Sequence, residues 1–296
     1  MFAVRSALFL LVLFAFLSEE VGTPTIIKED IRMHGHIVSD IQPFRIHGNL
    51  YFVGSRKVSV HIIKTECGLV MIDTGYPDMY DQILTSMEAL DLDPKDICAI
   101  FHSHGHIDHF GCTQRFQALS GAKTYISRID NDIVNGTYDL SWAVELGLER
   151  LPTFDCDVLI DDGDCFTFGS TTIRCKLAPG HTDGTLAFFV NIEDGKSSIV
   201  AAMHGGLGKN TLRSDFLKRY GLPFDCREKF RNGLRELAKE HVDLVMGNHP
   251  GSGDVMGKLA KLLAGATSVL DPMEWQRLLA SEEADLDTLI KKDPEC

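Results

Sequence analysis

The stretch His102-Ser103-His104-Gly105-His106-Ile107-Asp108-His109 constrains this chain more than any other segment. It holds four histidines and an aspartate within eight positions. Four imidazoles this close would repel one another if protonated, so a bound metal is a natural reason for them. Imidazole and carboxylate are common ligands of zinc-like ions. His104 and His106 are two apart, and in extended chain such side chains point the same way and can pinch one ion. Asp108 and His109 follow a turn permitted by Gly105 and can face a second ion. The run Asp96 to Phe101 has strand length and composition, whereas His109 to Leu119 has helical spacing with Phe110, Phe116 and Leu119 apolar. The ligands are therefore expected on a loop that leaves a strand at its C-terminal end and enters a helix, where open α/β layers build their sites. A His-rich surface loop without chemistry fits poorly with these apolar flanks.

Three further motifs occur in chain order. Met71-Ile72-Asp73-Thr74-Gly75 ends a strand on an aspartate, Ala178-Pro179-Gly180-His181-Thr182-Asp183-Gly184 places a histidine in a tight loop, and Met246-Gly247-Asn248-His249-Pro250-Gly251 ends a strand near a histidine. Together with His104-x-His106-x-Asp108-His109 they resemble the motifs of the metallo-β-lactamase superfamily, from about Phe44 to about Gly253. The match is nearest to the lactamase subclass with an all-His first site, an Asp-His-His second site and no ligand cysteine. The resemblance implies a four-layer αββα sandwich in the α/β class, one domain over residues 23–296, with the site at the seam. It implies two Zn²⁺, the first on His104, His106 and His181 and the second on Asp108, His109 and His249. Asp73 would hydrogen-bond a ligand imidazole's far nitrogen; read alone it is a cap or turn residue. Many relatives carry a bridging aspartate after the strand that here ends Ser198-Ile199-Val200-Ala201-Ala202. This chain has Met203-His204-Gly205-Gly206 instead, which leaves His204 as an extra ligand, a substrate contact or a loop residue.

The N-terminus has Arg5, an apolar run from Ala7 to Leu17, then Ser18, Glu19 and Glu20. This reads as a secretory signal peptide over residues 1–22, cleaved between Ser18 and Gly22, because the run is short of the about twenty apolar residues of a membrane span. A secreted or periplasmic protein with no membrane attachment after signal removal is expected, with an uncleaved anchor as the alternative. The net charge of −13, from 29 basic and 42 acidic residues, argues against a nucleic-acid backbone binder, whose affinity comes from Lys and Arg. The eight cysteines form no Cys-x-x-Cys pair, which disfavours a zinc ribbon. An oxidising compartment would pair some of them. Cys156 and Cys165 flank an acidic turn and could bridge a hairpin, Cys98 and Cys175 read as buried thiols, and Cys112 reads as structural.

The pattern is strand-like over 50–53, 58–63 and 69–72, then helical from Pro77 to Leu90. A short strand covers 123–126. An irregular helix is expected over 129–148, where Tyr138 and Trp142 either wall the pocket or, as their more ordinary use, pack in the core. Asn135-Gly136-Thr137 is a glycosylation sequon. Strands follow at 158–160, 165–168, 171–177, 185–190, 197–202 and 242–246, and helices at 224–240, 254–263 and 272–290, giving two similar halves. His241 is expected to face solvent.

The expected reaction follows from the ligand set. Zinc lowers the pKa of a bound water to about 7 and makes a metal-bound hydroxide available at neutral pH. Asp108 can orient that nucleophile, while the second ion binds substrate and stabilises the leaving anion. The reading is a β-lactamase-like hydrolase of a cyclic amide or related acyl bond in a small molecule. Hydrolysis of lactones, thioesters or phosphodiesters shares this machinery. A mononuclear iron dioxygenase and a non-catalytic secreted metal-binding protein are the remaining alternatives.

Overall fold

The computed structural model describes residues 41–195 and 197–295; the signal segment lies outside the described residues. Strands β1 (Phe44–His47), β2 (Leu50–Phe52), β3 (His61–Thr65) and β4 (Gly68–Ile72) form an antiparallel meander. The chain then crosses through helix α1 (Tyr80–Glu88) to β5 (Ile97–Phe101), and through α2 (Ile107–Phe110) and α3 (Thr113–Ser120) to β6 (Lys123–Ser127), with β4, β5 and β6 parallel. Short helix α4 (Asn131–Val134) precedes β7 (Val158–Ile160), which completes a seven-stranded sheet. The second sheet has five strands, β8 (Cys165–Phe168), β9 (Thr171–Leu177), β10 (Leu186–Glu193), β11 (Ser198–His204) and β12 (Leu244–Val245), in sequential order across the sheet. Helices α5 (Ser214–Tyr220) and α6 (Cys226–Leu237) lie between β11 and β12, and α7 (Val255–Leu263) and α8 (Glu274–Lys292) end the chain.

Side-chain alternation sets the layers. Ile63, Val70, Ile72, Ala99 and Phe101 from the first sheet share one buried cluster with Ile173, Phe188, Val190, Ala201 and Met203 from the second. Their neighbours Ile62, Met71 and Ile100 face outward onto Ile83 and Met87 of α1 and Phe116 of α3. Ala187, Phe189 and Ala202 face outward onto Phe216, Phe230, Leu234 and Trp275 of α5, α6 and α8. Period-two strands with both faces apolar need cover on both sides, and the result is helix, sheet, sheet, helix. Burying a side chain such as Phe188 contributes about 1.5–3 kcal/mol.

Several sequence expectations shift. The third strand starts at His61 rather than Val58; residues 58–60 instead bond Ser55 and Val53 through the carbonyls of Val58 and Val60. The helix expected after the histidine loop is broken between α2 and α3, where Gly111 lies against Gly75 and Pro77 too closely to admit a Cβ. Over 129–148 only Asn131–Val134 is α-helical; the remainder is turns, with Trp142 at a positive φ of 64°. Tyr138 is exposed rather than packed in the core. The halves are unequal, with seven strands against five. β1 and α5 had no distinct signal. The described cysteines are free thiols, so no bridge joins Cys156, which is buried, to Cys165, which is exposed.

Candidate metal centre

Every strand that feeds the site does so from its C-terminal end. Asp73 follows β4, the 102–106 loop follows β5, His181 follows β9, His204 ends β11, and His249 follows β12. The structure brings His104, His106 and His181 together in one group, and Asp108, His109 and His249 in another. His181 Nε2 lies 3.2 Å from His104 Nε2 and 3.0 Å from His106 Nδ1. Zn–N bonds of about 2.0–2.1 Å in a tetrahedron place ligand nitrogens about 3.3 Å apart, so these nitrogens already hold the spacing an ion needs. In the second group Asp108 Oδ2 is 3.5 Å from His109 Nε2 and 3.7 Å from His249 Nε2. The groups abut, with the His104 and His109 ring centroids 4.3 Å apart.

The far nitrogens are pinned, which fixes what each ring offers. His181 Nδ1 donates to Gly208 O at 2.6 Å, and His249 Nδ1 donates to Lys57 O at 2.6 Å. His109 Nδ1 donates to Asp73 Oδ2 at 2.7 Å. Ser103 Oγ donates to the same carboxylate oxygen at 2.8 Å and accepts from His104 Nδ1 at 3.1 Å. Each of these four rings is left with Nε2 as a bare lone pair. His109 Nε2 is buried and has no hydrogen-bond partner, and such an orphan is costly unless something else satisfies it. Electrostatics agree. Desolvation, followed by the neighbouring histidines, holds His104 and His106 well below the ordinary imidazole value. Burial brings His181 down to about 4. His109 is the exception: Asp108 and Asp73 outweigh desolvation and raise its pKa, so this ring favours a positive charge at the place where a cation would sit. Imidazoles converging beside carboxylates are the donor set of a cation, and the residues fit two zinc-like ions.

Asp73, expected beside a ligand's far nitrogen, occupies that place. His204 is buried and accepts from Gly206 N at 3.2 Å, within a loop that packs on His181. It belongs to neither group of converging ligands. His102, the first histidine of the motif, faces away: Nδ1 donates to Tyr125 O at 2.9 Å and Nε2 accepts from Thr113 Oγ1 at 2.7 Å. His241 is exposed and paired with Asp243. Cys112 donates to Tyr76 O at 3.0 Å, a structural role. Trp142 lies between His106 and Phe216, its ring tilted to both at 5.6 and 4.9 Å between centroids, so it both packs and borders the site. The Asn135 side chain is tied to Asp155 and Thr137.

Sequence reading missed the residues that shape the loops. A Cβ on Gly206 would sit 2.6 Å from His181 Cδ2, and one on Gly208 would sit 3.1 Å from Cε1. The glycine spacing Gly205-Gly206-x-Gly208 was the available signal. Asp130 was also missed, and nothing in its local sequence marks it.

Residues 53–195 match the family model of the metallo-β-lactamase superfamily. The chain belongs to the metallo-β-lactamase superfamily. Its fold is similar to that of a subclass B3 metallo-β-lactamase of Bradyrhizobium japonicum, with a TM-score of 0.77 and 25% identity, covering 86% of this chain and 96% of that one. The FEZ-1 metallo-β-lactamase of Legionella gormanii shares the fold, with a TM-score of 0.77, 24% identity and coverage of 87% and 98%. Among sequence relatives, a hydroxyacylglutathione hydrolase of Maricaulis maris is 28% identical over 97 residues, 33% of this chain and 30% of that protein. A probable polyketide biosynthesis zinc-dependent hydrolase of Bacillus velezensis is 27% identical over 113 residues, 38% of this chain and 41% of that protein. The chain thus spans less than half the length of these two relatives.

Proposed function

We propose that this metallo-β-lactamase superfamily member is a secreted zinc-dependent hydrolase acting on a cyclic amide or related acyl bond of a small molecule. The observation that carries the reading is the pair of abutting ligand groups, three imidazoles in one and Asp108, His109 and His249 in the other. Two ions so close are a device for hydrolysis, in which zinc supplies a water acidic enough to act as nucleophile at neutral pH. The chain's own residues do the rest. Asp108, the carboxylate of the second group, would orient the attacking water by accepting a hydrogen bond from it. Asp73 and Gly208 O hold His109 and His181 in the tautomers that leave Nε2 open. An intact His109 and His249 favour two ions over the single iron of a dioxygenase.

A cavity of about 490 Å³ adjoins the site. His106 and His181 form part of its wall, and Ile133, Leu140, Phe216 and Leu217 form much of the remainder. The wall also carries Arg128, Asp132, Asp183 and Tyr138, so an apolar surface combined with several charged and polar groups suits a small organic substrate that itself bears polar groups. The names of the relatives support acyl hydrolysis broadly and leave lactones and thioesters as the neighbouring substrate classes. The N-terminal segment 1–22 directs the protein into a secretory route in this reading.

The test is the metal content of protein purified without added metal, by elemental mass spectrometry, followed by turnover of β-lactam, lactone and thioester panels. About two zincs per chain with hydrolysis of one panel is the expected result, and His181→Ala or Asp108→Ala should lower that rate at least about a thousandfold, about 4 kcal/mol in barrier. One iron per chain would move the reading to the oxygenase. A chain that binds no zinc even when it is supplied would overturn it.

A further inference from the structure

Asp130 follows β6 at the N-cap position of α4, where an aspartate ordinarily accepts from its own helix. Here the side chain makes no cap hydrogen bond. It is 1% exposed and turned into the protein, where one oxygen, Oδ2, accepts from Gly105 N at 2.8 Å and from Thr182 Oγ1 at 2.7 Å. Oδ1 accepts from Gly184 N at 2.9 Å. Gly105 lies between His104 and His106, and Thr182 follows His181. One carboxylate from the first sheet therefore ties the loop carrying two ligands to the loop, from the second sheet, carrying the third.

The surroundings are built for this contact. Asp130 N is held by Ser127 Oγ at 3.0 Å, which fixes where the side chain starts. A Cβ on Gly184 would collide with Asp130 Oδ1, and one on Gly105 would lie 2.8 Å from Ile133 Cβ, so both partner loops approach as bare backbone. None of Asp108, His109 and His249 touches Asp130 through the hydrogen bonds described. We infer that Asp130 is a positioning residue that sets the separation of His181 from His104 and His106, and so tunes the affinity of the three-imidazole group for its ion independently of the second group. The inference rests on the zinc-site reading above.

The experiment is a competitive zinc titration against a chromophoric chelator, with the metal-free protein and in a His249→Ala background that leaves the three-imidazole group intact. Asp130→Asn keeps the size of the side chain but sets an amide N–H₂ against at least one donor. It should weaken zinc binding about 10–100-fold, the range for changes to the partners of metal ligands. Thr182→Val removes the Oγ1 contacts to Asp130 and to Thr185, preserves the backbone contacts of Asp130, and should weaken binding about threefold. Asp157→Asn is the comparison: its carboxylate, itself exposed, accepts from Thr124 N at 2.8 Å and Oγ1 at 2.9 Å on β6 and touches no ligand loop. It should lower the melting temperature and leave zinc affinity unchanged. Asp130→Asn that melts lower but binds zinc as tightly as its parent would overturn the inference. If Asp130→Asn does not fold, Thr182→Val decides, and unchanged affinity there overturns it. A parent protein that binds no zinc would instead overturn the functional reading.

Discussion

Asp73 and His109 form a fully buried pair, Oδ2 to Nδ1 2.7 Å, with Asp73 held at a left-handed φ of 59°. A non-glycine residue in that region is strained, and Asn and Asp tolerate it best. The strain aims the carboxylate at His109 and, through Ser103, at His104, so one residue orients a ligand in each group.

Asp73→Asn tests this. Asparagine keeps the backbone conformation but offers one acceptor where two are used, and an N–H₂ at the Oδ2 position faces the His109 Nδ1 proton. His109 then swaps tautomer and carries its proton on Nε2. Zinc affinity of the second group should fall about 10–100-fold, read by the number of tightly bound zincs per chain; two tight zincs in the variant would refute the orientation argument.

Gly206→Ala adds a methyl 2.6 Å from His181 Cδ2 and 2.9 Å from its Cβ. The ring must shift, at a cost of about 1–3 kcal/mol for overpacking. The metal-free protein should melt lower, and the three-imidazole group should lose about tenfold in zinc affinity. A normal melting temperature with normal affinity would mean that the loop yields and the glycine is dispensable.

His204 gives the fold a pH dependence. Burial, with His181 and Lys209 adding to it, brings its pKa down to about 3. The unfolded value is near 6.5, so between these two values the unfolded chain binds a proton that the folded protein refuses. Its cost to stability is absent above pH 6.5 and grows as pH falls toward 3, by about 1.4 kcal/mol per unit. Urea unfolding of the metal-free protein at pH 7, 6 and 5 should give a shallower decline for His204→Gln than for the parent. Parallel declines would show that His204 is not the group responsible.

Removing the ions should destabilise the protein. A ligand at a hundred times its dissociation constant stabilises the native state by about 2.7 kcal/mol per site. For a domain of this size that corresponds to roughly 5–10 °C. Calorimetry before and after chelation measures it, and a melting temperature indifferent to chelator would count against any structural metal.

The two converging groups were legible because the 102–109 stretch marks four of their members by residue type and spacing, and the resemblance to the superfamily's motifs supplied His181 and His249. His104, His106, Asp108 and His109 sit within one turn of chain, and His181 and His249 each stand in a strand-end loop that tight-turn residues mark. Strand alternation likewise carried most of both sheets. The failures have a common cause. The 129–148 segment has helical spacing, but most of it is held by contacts to α5 and the site rather than by its own helix. The helix after the motif breaks where Gly111 meets the 75–77 turn. Cysteine spacing suggested a bridge across a hairpin, whereas the fold buries Cys156 and exposes Cys165.

Sequence alone pointed to the residues that converge in the two groups, to the strand-end loops that carry them and to the layered class of the fold, because each leaves a motif or a periodicity along the chain. Only the tertiary structure decided where His102 turns, which carbonyl or carboxylate fixes each tautomer, and that Asp130 joins two loops from different sheets. Most of those depend on groups far apart in sequence, 25 residues for Asp130 to Gly105 and 192 for His249 to Lys57, and no local pattern records contacts made only when the chain folds.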